Sequence, residues 1–142
     1  MKNYSYSLIG LRIAMGFIMI WAFVDKLFGL GFATPKASAW INGGSPTTGF
    51  LAHGVHGPFA TLFSSLAGNM LVDWLFMIGL LFVGASLLFN RFMKWACLVG
   101  AVMMLLMYLA LIPSANNPLI DDHIIYAIVF AVLAFSPRPI NN

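Results

Sequence analysis

Charge and cysteine are what this sequence has least of. Its 142 residues include seven Lys or Arg and four Asp, with no Glu and a single cysteine, Cys97. One cysteine excludes an intramolecular disulfide and a thiol redox pair, and inside an apolar run it reads as a small core residue. There is no Cys-x-x-Cys-His, no Gly-rich dinucleotide fingerprint and no phosphate-binding loop, so the chain carries no recognisable motif for c-type haem, flavin or nucleotide. A pI near 9.3 does not make it a nucleic-acid binder. Its seven cations lie singly among apolar runs and form no basic patch.

What is present in excess is apolar surface. The chain is 61% hydrophobic with a mean hydropathy of +0.93 and only 8% charged residues, against roughly 45–50% apolar in soluble domains. A single membrane domain over residues 1–142 accounts for this. Four apolar segments can be drawn, at about 6–30, 70–89, 94–112 and 119–135, the last at the short end of what crosses a bilayer. The first is too long for a signal peptide and no small-residue cleavage site follows it, so it reads as a retained anchor. The expected fold is all-α: an integral membrane four-helix bundle with short capped extracytoplasmic helices between the first and second spans. Lys2, Arg12, Arg91, Lys94 and Arg138 fall on one side, Lys26 and Lys36 on the other. The positive-inside rule then puts both termini in the cytoplasm of a multi-pass cell-membrane protein.

Residues 31–69 read as neither span nor loop. A cassette repeats three times, Thr34-Pro35 to Gly43, Ser45-Pro46 to Gly54 and Gly57-Pro58 to Gly68. A capping residue, a Pro suited to the first helical position and a Gly able to stop a helix predict three short helices. Trp40, Phe50, Leu51, Phe59, Leu62 and Phe63 among them would not sit bare in water. Irregular backbone beside a bilayer is tolerated where protein or a wet cavity satisfies it, which marks this segment as a candidate binding site.

All four acids and all three histidines fall at the same end of the expected bundle. On a helical wheel Arg12 and Lys26 lie within roughly 40° of each other and about 21 Å apart, with Gly16, Met19 and Phe23 between them and Asp25 pointing nearly opposite. Either both cations snorkel to their own interfaces, or they face a cavity. An ammonium near hydrocarbon needs a partner, so Lys26 is expected to pair with Asp121, Asp122 or Asp73. In Asp121-Asp122-His123-Ile124-Ile125-Tyr126, one Asp can cap the fourth helix, while His123 beside a carboxylate can relay protons near neutral pH. His53 and His56 straddle a probable helix stop. Their spacing fits surface or capping residues, a proton or substrate contact, or a metal site completed by His123 and an Asp; no metal site is assigned. Met15, Met19, Met103, Met104 and Met107 read as core filler.

Leu11-Arg12-Ile13-Ala14-Met15-Gly16 followed by Trp21-Ala22-Phe23-Val24-Asp25-Lys26-Leu27-Phe28-Gly29 resembles the opening helix of the DoxX/DoxD membrane-protein family. The run Ala39-Trp40-Ile41-Asn42-Gly43-Gly44-Ser45-Pro46-Thr47-Thr48-Gly49-Phe50-Leu51, then Gly57-Pro58-Phe59-Ala60, and Asn116-Asn117-Pro118 leading into Asp121-Asp122-His123-Ile124-Ile125-Tyr126 are similar to its DoxD branch. That resemblance covers nearly the whole chain. It implies a membrane subunit of a thiosulfate:quinone oxidoreductase-like complex, coupling thiosulfate oxidation to quinone reduction, accompanied by a DoxA-like subunit.

On that reading Asp122, His123 and Lys26 are the candidate catalytic residues. Trp40, Asn42, Gly43, Tyr126 and His53 are the candidates for holding a quinone. A thiosulfate dianion would find Lys26, Lys36 and the Pro-initiated helix starts at Thr34, Ser45 and Gly57 on the same face. The alternative is a non-catalytic module that anchors or assembles a respiratory or other membrane complex. A small-solute transporter fits less well, since four short spans without an inverted repeat make a poor alternating-access machine. Lipid is the expected surroundings in every case, with a homo-oligomer or a respiratory complex as further partners and no nucleic acid.

Overall fold

The computed structural model describes residues 2–115 and 117–136. Arg138, counted above for topology, and Asn116 of the Asn-Asn-Pro motif lie outside the described residues. The described chain is entirely helical: α1 (Lys2–Phe28), two 3-10 turns (Lys36–Ser38 and Trp40–Asn42), α2 (Thr48–His53), α3 (Ala60–Ser64), α4 (Met70–Leu88), α5 (Met93–Leu111) and α6 (Asp122–Phe135). Within it, 6–28, 70–88 and 93–111 are long and apolar enough to cross a membrane. The chain is therefore a membrane protein with three candidate spans.

The fourth expected span is shorter than the sequence suggests. Asn117 accepts hydrogen bonds from the backbone N–H of Leu119 (2.9 Å) and Ile120 (3.2 Å), which turns these two apolar residues outside the helix. Asp121 then caps α6 by accepting from His123 N–H (3.0 Å) and Ile124 N–H (3.1 Å), satisfying two of the four orphan donors at its start. Helix α6 has 14 residues, about 21 Å of rise against a hydrocarbon core of about 30 Å.

Helix α1 packs on α4, α4 on α5 and α5 on α6, while α1 touches α6 only lightly. Lipid is as apolar as leucine, so close backbone approach through small residues replaces hydrophobic exclusion as the packing force. Glycines supply it at each junction. A Cβ at Gly84 would meet Ile20 at 2.6 Å, one at Gly79 would meet Met103 Sδ at 2.7 Å, and one at Gly100 would meet the Phe130 ring at 2.6 Å. Met15, Met19, Met77, Val83, Leu87, Cys97 and Phe130 fill the core around these contacts. Phe17, Leu71, Ile78, Trp95 and Leu98 stand exposed on the outside, a distribution suited to lipid.

Gly100→Ala should push α5 away from Phe130, at an overpacking cost of about 1–3 kcal/mol. Thermal unfolding in detergent is expected to show a lower midpoint for Gly100→Ala than for Gly10→Ala, because a Cβ at Gly10 meets nothing within 4 Å. Equal midpoints would refute the contact.

Arg12 lines neither cavity. Its guanidinium donates to Leu87 O and, at 3.2 Å, to Leu88 O, carbonyls of the last turn of α4, where a cation also offsets the negative end of the helix.

Candidate functional site

Three aspartates build the other end of the molecule. Helix α1 stops at Gly29, whose φ of +64° and close approach to Lys36 Cα (2.6 Å from a Cβ placed there) admit no side chain without strain. Just before it, Asp25 is 1% exposed and accepts from Phe32 N–H (3.3 Å) and Ala33 N–H (3.0 Å). It folds the chain back over the end of α1.

Asp73, buried in the first turn of α4, anchors the next stretch. Its Oδ1 accepts from Ser45 Oγ (2.8 Å), Thr47 Oγ1 (2.5 Å) and Thr47 N–H (3.3 Å). Ser45 Oγ in turn accepts from the Thr48 N–H (3.1 Å) and hydroxyl (2.7 Å), and Thr48 Oγ1 accepts from Gly68 N–H (2.9 Å). The expected cassettes therefore exist in altered form. The first gives two 3-10 turns closed by Gly43 at φ +85°, and the second and third give α2 and α3. No side-chain hydrogen bond comes from the residue flanking any of these short helices. Gly54 keeps a right-handed φ of −93°. The hydroxyls of Ser45 and Thr47 are spent on Asp73 and that of Thr48 on Ser45, with Ser45 also serving a helix-start N–H.

His56 ties the third cassette down. Its N–H donates to Ala110 O (3.1 Å), and its ring lies with Nε2 3.0 Å from Pro113 O and Nδ1 3.3 Å from Gly54 O.

Beneath this roof lies a cavity of about 950 Å³ between the end of α1, the start of α4 and the end of α5. Its floor and sides are Val72, Leu75, Phe76, Met103, Leu106 and Met107, and its roof carries Ser45, Thr47, Thr48, Phe50, Leu51, Phe63 and Leu66. Lys26 is the one charged residue on its wall. The expected ion pair is not made: among the described residues Lys26 forms no salt bridge within 4.0 Å, and its Nζ stands 5.9 Å from the Phe76 ring centroid. The acids are otherwise engaged, Asp73 by the roof and Asp121 by α6 and His123. A narrower groove of about 270 Å³, bordered by Phe17, Trp21, Asp25 and Phe32 on the outer side of α1, also ends at Lys26.

Of the expected site residues only Lys26 lines the cavity. Trp40 packs edge-on against Trp74 (4.7 Å, 72°). Asn42 is exposed and donates to Lys36 O (3.0 Å), Gly43 closes its turn, and His53 is exposed at the end of α2. Asp122 is exposed in the first turn of α6, and Tyr126 packs against the core. His123 meets Asp121 Oδ2 through Nδ1 at 2.8 Å. The sequence reading missed Asp73 and its hydroxyls, the residues that shape the cavity roof. The available signal was three hydroxyl residues within 45–48, Ser45, Thr47 and Thr48, together with an acid at a helix start. No cluster of His, Cys, Asp or Glu able to hold a metal occurs among the described residues.

Asp121 is held below the ordinary carboxylate value. Burial alone would raise it, but the hydrogen bond from His123, the N–H groups of Ile124 and His123 and the charge attraction of His123 outweigh burial. A depressed folded value contributes stability that is present above the unfolded value, about pH 4, and lost as pH falls through the folded one. Helicity at the start of α6 should therefore decline below about pH 4, and Asp121→Asn should flatten that acid limb in a circular-dichroism titration.

Comparison of the chain with family models, curated proteins and solved structures finds no match.

Proposed function

We propose that this chain is the membrane subunit of a thiosulfate:quinone oxidoreductase-like complex, and that the Lys26 cavity is where it holds a lipophilic quinone. In this reading α1, α4, α5 and a tilted or locally thinned passage of α6 form a four-helix bundle with both termini in the cytoplasm and the 31–69 segment outside. The observation that carries the proposal is an ammonium without a salt-bridge partner among the described residues, on the wall of a large apolar cavity. Convergence of few polar groups in an apolar pocket is the usual mark of a small-molecule site.

Size argues for the quinone over the sulfur anion as the cavity's main occupant. Thiosulfate has five heavy atoms, and at a water-sized share of about 30 Å³ each it would fill roughly 150 Å³. A substituted ring with several isoprene units uses far more of the space. Lys26 Nζ would donate to a carbonyl oxygen of the ring, Phe76 and Met107 would pack on its faces, and Asp73 would hold the roof closed against water. A bound quinone supplies the electron acceptor: two thiosulfates joining through sulfur as one tetrathionate release two electrons, and with two protons these make the quinol. Asp122 and His123 stand off the cavity wall, so their proposed part is proton traffic at the rim, with the DoxA-like partner completing the thiosulfate side. Trp40, Asn42, Gly43, Tyr126 and His53 would act on the quinone only through the packing of the roof and helices.

Purified protein in lipid nanodiscs should bind a short-chain ubiquinone analogue saturably, read as quenching of tryptophan fluorescence. Absence of saturable quenching, together with no thiosulfate-dependent quinone reduction when a DoxA-like subunit is added, would leave the anchoring or assembly module as the better account.

A further inference from the structure

We infer that the Lys26 cavity is loaded sideways from the bilayer, through a portal between α4 and α5 bordered by Leu75 and Leu106, and that the portal holds the hydrocarbon tail of the bound amphiphile. The inference rests on the quinone reading for the identity of the head but not for the existence of the opening. Leu75 and Leu106 both line the cavity, yet they are 63% and 48% exposed on neighbouring helices. A side chain that borders an internal space and the outer surface together marks where the two communicate.

The position of this opening makes it face lipid. Leu75 lies five residues from the start of α4 and Leu106 five residues from the end of α5, so both sit about 7.5 Å inside the helix ends. Each belongs to a segment apolar enough to cross a membrane. The helix geometry explains the gap. Helices α4 and α5 are pinned where Gly79 meets Met103, one turn deeper than Leu75, and nothing polar joins them between that point and the roof among the described residues.

The part of the roof over the start of α4, in contrast, is tied by hydrogen bonds. Asp73, Ser45, Thr47, Thr48 and Gly68 form one hydrogen-bonded chain across it, and His56 fastens its far side to the end of α5. Pro35, Ala37 and Ser38 also border both the cavity and the outer surface, so a second, more polar opening lies on that side, whereas a molecule dissolved in the bilayer meets the leucine side chains of the gap between α4 and α5. The occupant that suits this path has an oxygen acceptor at its head, for Lys26, and a long flexible hydrocarbon tail left between Leu75 and Leu106. A lipid acyl chain shares the tail chemistry, and the experiment separates the two sources.

A photoreactive benzoylphenylalanine replacing Met107, on the cavity wall, would be irradiated in vesicles containing either a tagged long-tailed ubiquinone or a tagged phospholipid. Adduct with a membrane-dissolved tail, falling at least tenfold in Leu75→Trp/Leu106→Trp and unchanged in the exposed control Ile78→Trp, is the expected result. A tail-less ring analogue should quench tryptophan fluorescence with unchanged affinity, within about twofold, in the blocked variant after correction for its added indoles, which also reports that its site is intact. Adduct with phospholipid but none with ubiquinone would keep the portal and sink the quinone reading. No adduct with either, or adduct that persists in the blocked double variant, would overturn the portal.

Discussion

Replacing Lys26 with Met is expected to weaken quinone-analogue binding by roughly 10- to 100-fold while leaving the helices folded. The magnitude follows from a hydrogen bond to a charged group, worth about 1.5–3 kcal/mol, with tenfold in affinity for each 1.4 kcal/mol. Folding should survive because Lys26 has no ion pair among the described residues to lose, and a Met of similar length fills the same wall with no charge to bury. Lys26→Arg keeps the charge and donors but spreads them over a planar fork, so partial binding is expected there. Fluorescence quenching titrations on the three proteins decide the matter. Equal affinity for wild type and Lys26→Met would remove the ammonium from the site.

Asp73→Ala should be the more damaging change to the structure. Its carboxylate accepts from two hydroxyls and one backbone N–H, and buried donors stripped of an acceptor cost about 1–3 kcal/mol each. Allowing for water replacing part of the loss, a destabilisation on the order of 3 kcal/mol is expected. Limited proteolysis reports it locally: residues 45–68 should become cleavable in Asp73→Ala under conditions where wild type is protected. Asp73→Asn retains one acceptor oxygen and should fall between the two. Wild-type protection in the alanine variant would show that the roof stands without this acid.

How far these sites could be read in the sequence depends on the range of the interactions that make them. The three long helices are legible because each is a continuous apolar run, and apart from the start of α1, four residues earlier than expected, their ends fall within two residues of those expected from hydropathy. Asp121 as a cap was legible too, because the interaction spans three residues. Lys26 stood out because a lysine in an apolar run is conspicuous whatever surrounds it. By contrast, Asp73 reaches back 28 residues to Ser45 and Arg12 forward 75 to Leu87, and no local pattern announces such partners. The helix-start residues 45–48 were read for their commonest local use, whereas tertiary contact gave their hydroxyls another. Trp40, Asp122, His123 and Tyr126 do not line the Lys26 cavity. Sequence puts them at one end of the molecule, but it does not show which helices pack together there, and α1 touches α6 only lightly.

The bond from Arg12 to the end of α4 also fixes vertical register. The close approach of Gly84 to Ile20 holds α1 against α4, and the Arg12 bonds add a polar constraint along the helix axes. A slip of one turn, about 5.4 Å, would carry the guanidinium off the carbonyls of Leu87 and Leu88. The same slip would carry Lys26, on the same stripe about 21 Å away, out of the plane of Phe76. Arg12 thus works as an alignment pin: it sets the height at which the ammonium meets the cavity without touching anything that enters there.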